Sequence, residues 1–174
     1  MRGKLLSMMK SMAAFFYRVN GRASEAAEEI VMSALQNKEL VRHVLKELFE
    51  NQNLTVVNEH YARDFVGHNS PPSIPPNREG VKQFVQARAS AFSDSRFVIE
   101  DQFAEKDRVA TRISSRHIHT GEFLGVPATG KEVVITGIMI HRVENGKITD
   151  EWTESDMLGL LKQLGAMEAP AATG

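Results

Sequence analysis

A tryptophan and an aspartate near the end of the sequence have a spacing that could form an acid/base site. Trp152 and Asp156 lie four residues apart, and on a regular strand such residues share a face, here together with Ile148. If that face is the interior, desolvation raises the pKa of the Asp156 carboxyl and suits it to general acid/base catalysis. Asp156 also precedes a helical segment that starts at Met157, so an N-cap role is the alternative. The two roles are compatible.

Two histidines form the pattern that some metal sites use. His117 and His119 are two apart and share a strand face, with Glu122 close behind, which is similar to the His-x-His-then-Glu pattern of cupins. The spacing to Glu122 is short for a cupin, and the helical first half of the chain does not suit one. We therefore predict no metal and no cofactor, and we expect both histidines at a pocket rim or an exposed edge.

Two further histidines are candidates because of their neighbours. His141 lies late in a strand that the Asn145-Gly146 turn pairs with the strand of Trp152. His68 ends a segment just before a proline-rich loop. Either could equally be an ordinary core or surface histidine, which is the commoner fate of a lone one.

Other kinds of chemistry lack the residues they need. The chain contains no cysteine, which excludes disulfides, thiolate metal sites and cysteine nucleophiles. Ser114 and Ser115 have no glycine-flanked elbow around them, and the glycines of residues 121–130 do not open a helix after a strand. Outside residues 1–24 the basic residues are scattered and outnumbered by acidic ones, which argues against nucleic acid.

The elements that would position these residues are helices first and strands afterwards. Apolar residues at helical spacing predict two helices at the start of the domain, one after Ser24 and one over residues 40–49, and then a short helix over 54–65 that leads into a strand or loop at 66–69. A helix capped by Asn77 follows a proline-rich loop at residues 70–76. The period then changes to two, which predicts strands at residues 97–103, 109–119, 133–143 and 147–155, followed by a helix at 157–164. The order predicts an α+β fold in which a curved antiparallel sheet wraps the N-terminal helices into a cone with an internal pocket.

The chain divides into three parts by charge and composition. The whole protein has 174 residues and a net charge of −1, yet residues 1–24 hold five basic and no acidic residues, so the remainder carries −6. We interpret residues 1–24 as a basic amphipathic leader or extra helix that packs on the domain or simply frays, with a targeting segment or a membrane-surface anchor as less favoured alternatives. Residues 25–168 form the predicted domain, and residues 169–174 a flexible tail. We expect a cytoplasmic location, since no run of about 18 apolar residues is present.

Several motifs together resemble a known family. They are the run from His119 to Lys131, Gly146-Lys147-Ile148, Trp152, Asp156, and the run from Gly159 to Gly165. In this order they are similar to the SnoaL-like polyketide cyclases, over about residues 38–165.

The resemblance implies a fold, a reaction and a set of site residues. The fold is the cone shared with ketosteroid isomerase and scytalone dehydratase, and the reaction is an intramolecular aldol cyclisation of a polyketide without metal or Schiff base. Asp156 would be the acid/base, His141 its assistant, and the substrate would contact His68, His119, Trp152 and Phe123. The family also implies a small, largely apolar ligand and a homodimer.

Two other functions stay open. A ligand-binding or dimer-forming module without catalysis would need Asp156 only as a helix cap. An epoxide hydrolase on the same fold uses an arginine flanked by two carboxylates, and the segment Arg112-Ile113-Ser114 lacks one of them. We therefore predict an enzyme of cyclase, lyase or isomerase type that uses acid/base chemistry.

Overall fold

The computed structural model describes residues 25–167, and within them four helices and five strands follow one another. In chain order they are α1 (Glu25–Phe49), α2 (Thr55–His60), β1 (Tyr61–Gly67), α3 (Arg78–Ala91), β2 (Phe92–Glu105), β3 (Arg108–His119), β4 (Glu132–Glu144), β5 (Lys147–Ser155) and α4 (Met157–Leu164). The predicted leader at 1–24 and tail at 169–174 lie outside the described residues.

The strands form one curved, unclosed sheet in the order β1-β5-β4-β3-β2. Strands β2 to β5 make the antiparallel meander that the sequence predicts, and β1 adds a parallel edge strand beside β5. Strand β2 has two register shifts, one after Ser93 and one after Ile99, and such bulges bend a strand. The α+β prediction is confirmed.

Helix α1 packs its apolar stripe onto the concave face of the sheet. Val41, Val44, Leu45 and Leu48 are fully buried or nearly so, and they recur at the i, i+3, i+4 and i+7 spacing of one helix face. The sequence predicts two helical patterns in this region, whereas the structure has one continuous helix from Glu25 to Phe49. A smaller apolar cluster lies under α4, around Phe92, Val133 and Leu160.

Strand β1 differs from the prediction, which has a helix over residues 54–65. The helix ends at His60, and Tyr61–Gly67 is extended. The reason is tertiary, because β1 pairs with β5 and buries Tyr61 and Phe65 in the main core. The helix and strand propensities of residues 54–65 do not indicate a pairing with a strand so distant in sequence.

The hairpin between β4 and β5 combines a confirmed turn with an irregularity. Asn145 and Gly146 both have positive φ, 50° and 71°, as the Asn-Gly signature predicts. Val143 then pairs with Ile148 and Arg142 with Asp150, so Thr149 is an extra residue. Beyond this bulge the side chains of β5 point to the opposite faces from those expected for a regular strand. The expectation that Ile148 and Trp152 share a face is therefore wrong.

Within residues 25–167, no helix is long and apolar enough to cross a membrane.

Candidate active site

A cavity of about 360 Å³ lies between the helices and the concave face of the sheet. That volume falls in the range of small-molecule pockets. The proline-rich loop forms one side of it, through Ser70, Pro71 and Ile74. The rest of the lining is mainly apolar and aromatic: Leu48, Phe49, Tyr61, Phe65, Val81, Phe84, Val85, Met139 and Met157. Two carboxylates, Glu151 and Glu154, also line the cavity.

Glu151 is the acid/base candidate in the cavity, and His141 holds it from the neighbouring strand. The two residues are direct cross-strand partners in the β4–β5 ladder. The Nε2 atom of His141 lies 3.2 Å from Oε2 of Glu151, and the Thr153 hydroxyl donates to Oε1 at 3.1 Å. His141 is completely buried, whereas 18% of the Glu151 side chain is exposed. One carboxylate therefore faces the cavity with both oxygens held by neighbours.

The pKa of Glu151 is the balance of two opposing effects. Burial raises the pKa of this carboxyl, but the hydrogen bond and charge of His141, with hydroxyls of Thr153 and Tyr61 nearby, outweigh it and lower the pKa below the ordinary value. Glu151 is therefore ionised at neutral pH and available as a base.

Tyr61 places a phenol next to this carboxylate. Its hydroxyl is buried and makes no hydrogen bond of standard geometry, yet it lies close enough to Glu151 to be influenced by it. Burial, followed by the negative charge of Glu151, raises the pKa of Tyr61 well above that of a free phenol. The hydroxyl thus keeps its proton, which it can donate either to Glu151 or to a bound molecule.

Asn69 positions the backbone that carries these groups. Its side chain accepts a hydrogen bond from the Thr153 amide at 2.8 Å, donates to the Thr153 carbonyl, and donates to Glu154 at 3.0 Å. The side-chain amide of Asn69 thus bonds the backbone of β5 where the β1 strand has already ended. This fixes the cavity end of β5, including Thr153.

Asp156 caps helix α4 and does not line the cavity. Its side chain is exposed and accepts a hydrogen bond from the Gly159 amide at 2.7 Å. A Cβ atom at Gly159 would lie 2.1 Å from the carboxylate, so a larger residue there would make the Asp156 side chain shift. The structure does not bring Asp156 together with His141.

Trp152 and His68 contact each other on the face of β5 opposite to Glu151. Their rings stack with centroids 4.3 Å apart, and Nε2 of His68 lies 2.7 Å from Asp150. Arg108 packs over the Trp152 ring, with its Cζ atom 4.7 Å from the ring centroid. Neither Trp152 nor His68 lines the cavity, because the bulge at Thr149 directs Glu151 inward and Trp152 outward.

His119 and Phe123 belong to the smaller core beside α4. His119 is completely buried, its Nδ1 lies 3.1 Å from the Thr129 hydroxyl, and it also accepts from the Thr129 amide. Phe123 packs against Phe92 with ring centroids 5.0 Å apart. His117 and His119 were expected at a rim or exposed edge, whereas both are buried. Within residues 25–167 no group of three His, Asp or Glu side chains is arranged to hold a metal ion.

Glu151, Thr153 and Tyr61 are the cavity residues that the sequence does not single out. Counting from the Asn145-Gly146 turn along a regular hairpin pairs His141 with Asp150, and the extra residue Thr149 makes the partner Glu151 instead. The sequence therefore indicates an acidic residue opposite His141, and a shift of one residue in the strand register decides between Asp150 and Glu151. No local pattern points to Tyr61.

The arginine of the epoxide hydrolase alternative also lies outside the cavity. Arg112 pairs with Asp101, with 2.5 Å between Nη2 and Oδ2, and both side chains are about half exposed on the outer face of the sheet. Neither residue lines the cavity.

The sequence and the fold are similar to those of one family. The family model described as SnoaL-like polyketide cyclase matches residues 39–164, which confirms the resemblance found in the sequence motifs. No curated protein is significantly similar to the chain.

Solved structures share both the fold and part of the sequence. IdmH from Streptomyces antibioticus, a proposed polyketide cyclase, is 36% identical over 75% of this chain and 99% of that chain, with a TM-score of 0.63. AclR from Streptomyces galilaeus, a proposed hydroxylase, is 27% identical over 78% and 100% of the two chains, with a TM-score of 0.68. TsrD from Streptomyces laurentii is 25% identical over 84% and 100%, also with a TM-score of 0.68.

Proposed function

The chain belongs to the SnoaL-like polyketide cyclase family, and from this premise we propose that it binds a small, largely apolar polyketide-like ketone in the cavity and closes a ring by intramolecular aldol condensation. Glu151 is the acid/base in this proposal, in place of Asp156. The observation that carries it is a carboxylate, hydrogen-bonded to a buried histidine, in a cavity with a mainly apolar lining.

The reaction needs a base that acts on carbon and a site that excludes water. Glu151 removes a proton from the carbon next to a ketone carbonyl, and the resulting enolate carbon attacks a second carbonyl carbon of the same molecule. One carbon–carbon bond forms and the second carbonyl becomes an alkoxide, which takes the proton back from Glu151. The cyclisation needs no co-reactant. A positioned general base typically raises the rate of such a proton transfer about 10²–10⁴-fold.

The neighbours of Glu151 support this cycle in different ways. His141 and Thr153 orient the carboxylate and stabilise its charged form. The Tyr61 hydroxyl, which lies beside Glu151 and makes no hydrogen bond of standard geometry, turns its proton to the enolate oxygen once Glu151 has taken up a proton. A buried donor in that place stabilises developing negative charge. The aromatic and aliphatic lining holds the flat, apolar part of the substrate.

The test uses the purified full chain and a 1,5-diketone, whose aldol closure and dehydration give an enone that is followed by ultraviolet absorbance. We expect Glu151→Gln to lower turnover by about 100-fold or more and to leave the affinity for an aromatic ketone, measured by calorimetry, within about threefold. The matched control is Glu154→Gln, which changes the other carboxylate of the same cavity. Its turnover should stay close to that of the wild type.

The same assay separates the alternatives. If Glu151→Gln retains turnover and Asp156→Asn loses it, the base is Asp156, as the sequence motifs imply. If the wild type binds the ketone but turns over neither this nor longer diketones, the protein is a ligand-binding module. Turnover of an epoxide that depends on Arg112 would instead support a hydrolase.

A further inference from the structure

Phe49, the last residue of α1, separates the main cavity from a second, much smaller void. The second void has a volume of about 20 Å³, enough for one water molecule. Leu48, Phe49 and Val85 line both spaces, and none of the three is more than 8% exposed. They therefore form a wall one side chain thick, and Phe49 supplies the aromatic ring in it.

Neighbours outside the main cavity hold the Phe49 ring in place. Phe97 of β2 stacks on it, with ring centroids 5.1 Å apart and planes inclined by 26°. The guanidinium of Arg88 lies over it, with Cζ 4.8 Å from the ring centroid, and Nη2 of Arg88 donates to the Ser115 hydroxyl at 2.7 Å. Because stacking and cation–π contacts favour one ring position, Phe49 is a fixed wall of the cavity.

This wall is remote from the proposed base and from the mouth. Phe97, which backs Phe49, is on β2, three strands away from Glu151 on β5 in the sheet order. The mouth is marked by the lining residues that are exposed, namely Asn69, Pro71, Asn77, Phe84, Glu154 and Ser155. A ketone with its carbonyl beside Glu151 therefore directs its apolar part either at Phe49 or out through the mouth.

We propose that Phe49 is a specificity-determining residue, which sets the length of the apolar part that the cavity accepts. The inference rests on the proposed function, since it takes the substrate carbonyl to lie at Glu151. Burial directs the apolar part to the wall, because each buried methylene strengthens binding about fourfold, whereas one left in water at the mouth adds nothing. A longer apolar part would have to displace the Phe49 ring, and the contacts with Phe97 and Arg88 oppose that.

The test measures the affinity of the purified full chain for straight-chain methyl ketones of about six to twelve carbons by calorimetry. In the wild type we expect the affinity to rise about fourfold per methylene and to level off at the length at which the chain meets Phe49. In Phe49→Val the rise should continue for about one or two more methylenes, and in Phe49→Ala for about two to four, because loss of ring atoms opens the wall towards the second void. The valine variant is included because it destabilises the core less than alanine does.

Phe97→Val is the matched control, because it removes the other ring of the stacked pair and Phe97 lines neither space. Its affinity should level off at the wild-type chain length. The proposal is overturned if both Phe49 variants level off at the wild-type length, if Phe97→Val shifts as far as Phe49→Val, or if no ketone of the series binds. Because the readout is binding, a shifted length without turnover would refute cyclisation alone, and turnover with an unshifted length would refute the role of Phe49 alone.

Discussion

At the scale of single residues, the Glu151 carboxylate is governed by groups on both sides of it. His141 and Thr153 lower its pKa, and burial works in the opposite direction. A base that is ionised at neutral pH is ready to react, although its lowered pKa makes it a weaker base than an unperturbed glutamate. A cavity that excludes water compensates for this weaker basicity, because the hydrogen bonds and charges that stabilise the enolate are stronger there than in water.

This balance predicts how the pH profile of turnover responds to Thr153→Val. The variant removes a hydrogen bond that lowers the pKa of Glu151, so the carboxylate is protonated at a higher pH than in the wild type. We expect the acid limb of kcat/KM to move to higher pH, with the plateau above it within about threefold of the wild type. An unchanged acid limb would show that Glu151 does not set the profile. Thr136→Val, at an exposed position of the neighbouring strand β4 and outside the cavity lining, is the control.

His117 predicts a pH dependence of stability that has nothing to do with catalysis. In the unfolded chain its pKa is near the ordinary 6.5, and in the folded protein it is about 4. Between these values the unfolded state binds one more proton, so the free energy of unfolding falls as the pH drops from 6.5 towards 4 and is unaffected above that window.

Arg88 on α3 donates a hydrogen bond to Nε2 of His117 at 2.5 Å, and burial together with this cation lowers the pKa of the ring. His117→Gln should remove the dependence, since an amide oxygen can accept from Arg88 but does not titrate. We expect the loss of stability between pH 7 and pH 4.5 to be smaller in the variant by on the order of 1–3 kcal/mol. Urea unfolding at several pH values measures it. Equal slopes in both proteins would show that His117 titrates normally in the folded state.

At the scale of secondary structure, the helix caps were predictable from sequence and the strand irregularities were not. Asn77 accepts from the amides of Glu79 and Gly80, and Asp156 from that of Gly159, as their residue types predict. The Asn145-Gly146 turn was equally readable because its backbone requires positive φ. The bulge at Thr149 depends on how β5 pairs with both β4 and β1, and no short sequence pattern predicts that double pairing.

The contrast between predictable turns and unpredictable bulges explains which site residues could be predicted from the sequence. His141 was predicted as a site residue and lies beside the cavity carboxylate, because its place depends on the hairpin and a regular count along β4. Trp152 and Asp156 lie beyond the bulge, where one extra residue changes the face. Tyr61 joins the cavity through the parallel β1–β5 pairing, which closes a sequence separation of more than 80 residues.

The Asp156 cap is testable through the stability of α4. We expect Asp156→Ala to lower the free energy of unfolding by about 1 kcal/mol, because the Gly159 amide loses its acceptor, whereas Asp156→Asn should cost only a few tenths. Chemical denaturation of both variants measures the difference. Equal losses in the two variants would mean that the charge of Asp156, rather than its capping geometry, stabilises the helix.

At the scale of the whole molecule, the sheet separates the cavity from a second surface. The concave face packs on α1 and carries Glu151, while the outer face carries an apolar row that crosses four strands. Its members pair in register: Phe103, Ala110, Ile140 and Trp152. Phe103 is 70% exposed and Ile140 37%. A contiguous row of exposed apolar side chains is typical of surfaces that contact another protein.

We expect this outer face to join two copies of the chain, in line with the homodimer that the family resemblance implies. Sedimentation velocity should show a dimer for the wild type and a monomer for the double variant Phe103→Lys/Ile140→Lys, since two lysines in the row would be desolvated without partners. Leu124→Lys, which changes an exposed leucine in the loop after β3, should remain dimeric. Because the row and Glu151 lie on opposite faces of the sheet, the monomeric variant should retain turnover within about threefold, and a monomeric wild type would contradict the dimer outright.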